Sequence, residues 1–224
     1  MINIAIDGVA GCGKSTLAEQ LAKRLKLKKF NTGMVYRAIT CEYIARYSIA
    51  TLPNKKIIDE FLKNLKVEVA FDDFTQIVIV NGNDYSPILR QEEVSKLTPL
   101  ISGFDNLREQ VRKIQREFAN NNDCIMEGRD IGRVVLKDAT IKIFLCASDE
   151  VRAKRRYAQL VELPNAPSFE QVLEDIKQRD KEDREREFGT MLPADDAIIV
   201  DNSNQTLEQT IDYCVDLINK KIKN

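Results

Sequence analysis

Gly8-Val9-Ala10-Gly11-Cys12-Gly13-Lys14-Ser15 constrains this chain more than any other stretch, because it fits G-x-x-x-x-G-K-[ST]. An apolar run, residues 2–6, precedes it. Leu17, Leu21 and Leu25 follow at helical spacing with Ala18 and Ala22 between them. A glycine turn therefore joins a short buried strand to a helix. Glycines let successive amides point inward, and the helix adds its unpaired first-turn N–H groups and the positive end of its dipole. Together these make an anion cradle. Lys14 is placed to reach β- and γ-phosphates, Ser15 to ligate Mg²⁺ and Thr16 to contact an α-phosphate. Residues 8–16, including Val9, Ala10, Gly11 and Cys12, are expected to hold a nucleotide.

The rest of the chain alternates. Residues 30–33 read as a strand end and 34–47 as a helix, after which Pro53 breaks the pattern. Residues 67–71 and 77–80 are rich in β-branched and aromatic side chains, and Asn81-Gly82 is a hairpin-type turn signal. Helical patterning returns over 91–120. Buried strands are expected at 124–127, 141–145 and 197–200, and helices at 149–163, 168–186 and 206–221. Such alternation implies a parallel sheet with helices on both faces. The length of 224 residues, without repeats, suits one α/β domain with a small inserted lobe.

Composition narrows the chemistry. There is no histidine, so a histidine base, triad or metal ligand is excluded. The five cysteines form no C-x-x-C pair, which argues against a zinc site or disulfide framework and for reduced thiols. A net charge of −1 gives no basis for nucleic-acid binding from charge. Neither a signal segment nor an apolar run of membrane-spanning length is present, so a cytoplasmic protein is expected. A guanine-reading Asn-Lys-x-Asp loop is missing. Its nearest string, Asn54-Lys55-Lys56-Ile57, lacks the aspartate and sits too early.

Arginines stand out beyond the loop: Arg37 in "NTGMVYR", Arg108 in "NLREQV", Arg129 before Asp130 in "MEGRDIG", and Arg179, Arg184 and Arg186 in "QRDKEDRERE". One nucleoside triphosphate does not need so many cations, whereas phosphoryl transfer between two phosphorylated substrates does. Arg129 follows an apolar strand, at the carboxyl end where α/β folds bind ligands. Arg112 and Arg116, in a plain helix, read as surface ion-pair partners. A kinase for a small acceptor and a non-enzymatic nucleotide-binding protein both remain open at this point.

These stretches resemble the bacterial cytidylate kinases of the nucleoside monophosphate kinase family. "IAIDGVAGCGKSTLA", "NTGMVYRAIT", "ILRQEEVSKL" with "LREQVRKIQREF", "MEGRDIGRVVLKDATIKIFLCAS" and "IKQRDKEDRERE" are similar to that family's successive blocks, in order and over essentially the whole chain. The resemblance implies a three-layer α/β phosphate-loop fold with a central parallel sheet. It implies a single domain: a core of about 1–58, 91–165 and 190–224, a small β-rich monophosphate-binding insertion of about 59–90, and a helical lid of about 166–189. The implied reaction is ATP-dependent phosphorylation of CMP and dCMP with Mg²⁺, by a monomer acting on small molecules, with neither nucleic acid nor membrane as partner. Gly8, Gly13, Lys14, Ser15 and their neighbours through Thr16 would bind ATP. Lys14, Arg129 and Arg186 would be catalytic. Thr32 and Tyr36 would line the CMP pocket, and Arg37, Arg129 and Arg186 would grip its phosphate. Arg108 and Asp130 would read cytosine, and Arg179 and Asp183 would hold the ribose. Asn31 stands where the family usually has aspartate. Pro99 stands where a serine usually touches the base, with Ser102 nearby as a substitute.

Overall fold

The computed structural model describes residues 1–162, 166–185 and 191–223, the side chains of Asp183 and Arg184 excepted. In chain order the elements are β1 (Asn3–Gly8), α1 (Lys14–Leu25), β2 (Lys28–Asn31), α2 (Thr32–Tyr47), α3 (Lys55–Lys63), β3 (Val67–Asp72), β4 (Thr75–Val80), β5 (Asn83–Asp84), α4 (Glu92–Ile101), α5 (Asp105–Asn121), β6 (Cys124–Glu127), β7 (Ile141–Cys146), α6 (Asp149–Leu160), α7 (Phe169–Glu185), β8 (Ile198–Asp201) and α8 (Leu207–Lys223). The chain divides into two compact units, Met1–Leu27 with Asp123–Asn224, and Lys28–Asn122.

In the first unit the strand order is β6-β1-β7-β8, all parallel. Ile4 pairs with Ile125 on one side and Ile141 on the other, and Leu145 pairs with Val200. Side chains alternate across a strand. One face of the sheet therefore presents Ile4, Ile6, Ile143 and Leu145 to Leu17 and Leu21 of α1 and to Ile211 and Ile218 of α8. Each such buried aliphatic contributes about 1.5–3 kcal/mol. The opposite face carries Asp7, over which a short helical turn, Ile131–Val135, is laid.

Two glycines let the backbone come that close. A Cβ on Gly8, where φ is +145°, would lie 1.9 Å from the Leu145 carbonyl oxygen. On Gly132 it would lie 3.1 Å from the Lys142 side chain. A larger residue at Gly8 would collide with the Leu145 backbone and push the loop off the sheet, whereas at Gly132 the Lys142 side chain would have to give way by a few tenths of an ångström.

In the second unit β3 and β4 form an antiparallel hairpin from Val67↔Val80 to Asp72↔Thr75, and β5 pairs with β4. The turn joining β3 to β4 is Asp73-Phe74, with Asp73 at φ +52°. Asn81-Gly82, the hairpin signal in the sequence, instead joins β4 to the two-residue β5. The expected helical stretch over 91–120 is two helices, broken at residues 102–104. α3 occupies a stretch for which the sequence reading names no element. Its start is set by Asn54, whose side chain accepts from the Ile57 amide, and it buries Ile58 and Phe61. Tyr43, Tyr47 and Phe61 pack as a cluster with ring centroids 5.0–6.1 Å apart. No helix among the described residues is long and apolar enough to cross a membrane.

Candidate active site

The loop between β1 and α1 is held from several directions. Gly13, at φ +97°, is the N-cap of α1 and offers no side chain to the first-turn amides. Lys14 Nζ donates to the carbonyl oxygens of Gly8 and Val9, each at 2.7 Å. The Ala10 carbonyl accepts from Arg152 Nη1 at 2.8 Å. The Cys12 carbonyl accepts from Asn202 Nδ2 at 3.0 Å and from Arg155 Nη1 at 3.4 Å. Carbonyls fixed in this way leave the loop's amides as its inward-facing groups. Burial pulls the Lys14 pKa down, and the nearby Arg129 guanidinium pulls it the same way. A lysine whose charged form burial disfavours belongs where a polyanion is to be received.

Register places the next acid. β1 pairs with β6 at Ile6↔Glu127, so Glu127 ends its strand beside the loop. Glu127 is buried, and its Oε2 accepts from Ser15 Oγ at 2.7 Å. Arg129 and Asp130 follow in the turn after β6. That turn is anchored by Asp7, whose Oδ1 accepts from the Ile131 amide at 2.8 Å and Oδ2 from the Gly132 amide at 2.7 Å. Burial pushes the Asp7 carboxyl from 3.8 up to about 6, with the charge of Asp130 adding to it and the two amides opposing it.

Lys14, Ser15, Arg129 and Asp130 are thus brought to one end of the sheet. Arg179 lies on α7 in the same unit. Asp183 has no described side chain, and Arg186 lies outside the described residues.

The second unit holds the remaining expected residues. Thr32 opens α2, and its Oγ1 accepts from Gln115 Nε2 of α5 at 2.9 Å. Tyr36 lies one turn on, partly exposed. Arg37 Nη1 donates to the Leu89 carbonyl at 3.0 Å and to Ser95 Oγ at 2.8 Å. Arg108, two turns before Gln115 on α5, donates from Nη1 to the Ser102 carbonyl at 3.5 Å. The Ser102 hydroxyl donates to the Pro99 carbonyl at 3.2 Å, so this serine meets Arg108 through its main chain. Asn31 caps α2, its Oδ1 accepting from the Met34 amide at 3.2 Å, while its own amide donates to Gln76 Oε1 at 2.6 Å.

Glu127, Arg152, Arg155, Asp180 and Asn202 are not singled out by the sequence reading. Glu127 carries a signal nonetheless, as an acid ending an apolar strand directly before Gly128-Arg129-Asp130. Arg152 and Asn202 carry none, because the loop carbonyls they hold are 142 and 190 residues away.

Comparison with known proteins identifies the family. The family model described as cytidylate kinase matches residues 4–220. A protein of Geobacillus sp. named cytidylate kinase is 39% identical over 221 residues, covering 99% of this chain and 98% of its own. One from Caldicellulosiruptor saccharolyticus with the same name is 40% identical over 223 residues, covering 100% and 98%. Among solved structures, an uncharacterized protein from Eubacterium ventriosum superposes with a TM-score of 0.54 at 14% identity, covering 98% of each chain. One from Thermus thermophilus gives 0.50 at 14% identity, covering 98% and 97%. These two likenesses speak for the fold alone. With a family model spanning nearly its whole length and full-length relatives near 40% identity, the chain belongs to the cytidylate kinase family.

Proposed function

We propose that the chain transfers the γ-phosphoryl group of ATP to CMP and dCMP, giving ADP with CDP or dCDP. Family membership supports the activity. Among the local observations, the phosphate loop carries it: Lys14 seated at 2.7 Å on the Gly8 and Val9 carbonyls, with Arg129 in the turn that follows the strand whose Glu127 bonds Ser15, suits a group passing between two phosphates.

A phosphate oxygen of CMP attacks the γ-phosphorus in line. That oxygen is already ionised near neutral pH, so no strong base is required, which suits a chain without histidine. Positioning and charge neutralisation carry the chemistry. Lys14 leaves the Gly8 and Val9 carbonyls for the β- and γ-oxygens. Arg129 neutralises the transferring group and steadies the acceptor phosphate. Asp130 is assigned to the cytosine amino group, Arg108 to its O2 and N3, and Arg37 to the acceptor phosphate. Thr32 and Tyr36 line the acceptor pocket, and Arg179 holds the ribose. Asp183 and Arg186 keep the ribose and phosphate roles that the family resemblance implies.

Mg²⁺ fits the residues present. Ser15 Oγ and the Glu127 carboxylate are hard oxygen donors facing each other at the end of the loop. Ser15 would hold the ion directly, and Glu127 through water or by orienting Ser15. When bound, the ion neutralises phosphate charge.

We assign 59–90 as the monophosphate-binding insertion and 166–189 as the lid, of which 186–189 lie outside the described residues. A cytoplasmic monomer acting on small molecules, with neither nucleic acid nor membrane as partner, completes the proposal.

A single-turnover reaction with γ-labelled ATP tests it. The label is expected in the β-phosphate of CDP, only when Mg²⁺ is present. Release of label as inorganic phosphate, with CMP unchanged, would overturn the assignment.

A further inference from the structure

Arg152 of α6 is 1% exposed, and its guanidinium serves four acceptors. Nε donates to the Ala147 carbonyl at 3.1 Å and Nη1 to the Ala10 carbonyl at 2.8 Å. Nη2 donates to Asp149 Oδ1 at 2.5 Å and to Asp180 Oδ2 at 2.6 Å. The stem runs beside the loop as well, since a Cβ added at Gly11 would come within 3.7 Å of Arg152 Cβ. Asp180 lies on α7, buried at 2% exposure, and among the described residues its Oδ1 has no hydrogen-bond partner. Arg152 is the group that holds this buried carboxylate in place.

A rigid fork with four acceptors cannot follow one of them without straining the other three. Ala10 is the acceptor that bears on the nucleotide. Its carbonyl is turned toward Arg152, and once released it is free to swing toward the phosphate oxygens and repel them.

The geometry points to Arg152 as a positioning residue that couples the phosphate loop to α7: it holds the Ala10 carbonyl while Asp180 seats the fork, so nucleotide affinity depends on the placement of α7. The inference deepens the kinase reading and rests on it in one respect. Arg179, assigned there to the acceptor ribose, is the residue before Asp180. The same fork therefore links the loop that takes the donor to the helix that carries an acceptor-side group. Linkage is reciprocal, so nucleotide on the loop must in turn favour the seated helix.

Titration with a fluorescent ADP analogue and Mg²⁺, alongside thermal unfolding, tests this in Arg152→Met, Arg152→Lys, Asp180→Asn and the double variant Arg152→Met with Asp180→Leu. The Kd is expected to rise about tenfold in Arg152→Met and at least threefold in Asp180→Asn, with Arg152→Lys between them. The double variant exchanges a buried ion pair for an apolar one and is expected to recover Tm but not affinity. Asp149→Asn, which alters the half-exposed partner, is expected to stay within about twofold. Hydrogen exchange along α7 is expected to slow on adding MgADP in the unsubstituted chain and not in Arg152→Lys. An unchanged Kd in Asp180→Asn, or a double variant that recovers affinity with Tm, would overturn the coupling and leave Arg152 a structural residue. Should Arg152→Met fail to fold, Asp180→Asn and Arg152→Lys decide the matter. Absence of CDP from an unsubstituted chain that binds MgADP would count against the kinase reading alone, because the coupling is judged by binding.

Discussion

Ser15 Oγ donates across 2.7 Å to Glu127 Oε2, joining the last residue of the phosphate loop to the last residue of a strand 112 positions away. The bond orients the hydroxyl that Mg²⁺ would use. Glu127→Gln keeps the shape and removes the charge. We expect turnover to fall about 10–100-fold, with the Mg²⁺ concentration for half-maximal rate shifted upward. Initial rates against Mg²⁺ at saturating nucleotide check this, and an unchanged magnesium dependence would remove Glu127 from the site.

In the proposed reaction Lys14 and Arg129 act on the same charge. Lys14→Ala and Arg129→Ala are each expected to lower kcat by about 10²–10³-fold. Both are assigned to ligand charge, so circular dichroism melts should show each variant folded. Near-normal turnover in either would end that residue's catalytic assignment.

Asp7 makes stability depend on pH in an unusual direction. Its folded value is about 6 against an ordinary 3.8. Between those values the unfolded chain has released the proton that the folded chain keeps. Asp7 therefore costs no stability below about pH 4, costs progressively more as pH rises through 6, and stays at full cost above that. The full difference is about 3 kcal/mol. Urea unfolding of the unsubstituted chain and Asp7→Asn from pH 4 to 7 measures it. The unsubstituted chain should lose ground against the variant as pH rises, and a constant difference would refute the burial account.

The phosphate loop is legible in the sequence because strand, glycine turn and helix are contiguous within residues 3–25, whereas the side chains that fix its Ala10 and Cys12 carbonyls come from residues 152, 155 and 202. The parallel strands of the first unit are legible for the same reason, as short apolar runs. What the sequence hides is non-local. Asn81-Gly82 is a good turn signal, but it gives no clue as to which strands it joins, and Asp73-Phe74 makes the β3–β4 turn without an obvious signal. Arg112 and Arg116 read as surface ion pairs, and each does pair with Glu109, at 3.5 and 3.6 Å. Arg152, with a similar helical setting in the sequence, is buried against Ala10 and Asp180, which only the fold brings to it.

Asn31 shows how one substitution is absorbed. Standing where the family resemblance implies aspartate, its Oδ1 caps α2 at the Met34 amide. Asn and Asp cap about equally well. Asn31→Asp is expected to leave stability within about 0.5 kcal/mol, whereas Asn31→Ala should cost about 1 kcal/mol. Chemical denaturation of both variants distinguishes the cap from a dispensable polar contact.

The central claim is the acceptor. ADP formation should be measured with ATP and Mg²⁺ and, in separate reactions, CMP, dCMP, UMP, AMP and GMP. The account predicts strong turnover confined to CMP and dCMP. Turnover absent with both, or stronger with AMP or GMP, would contradict it.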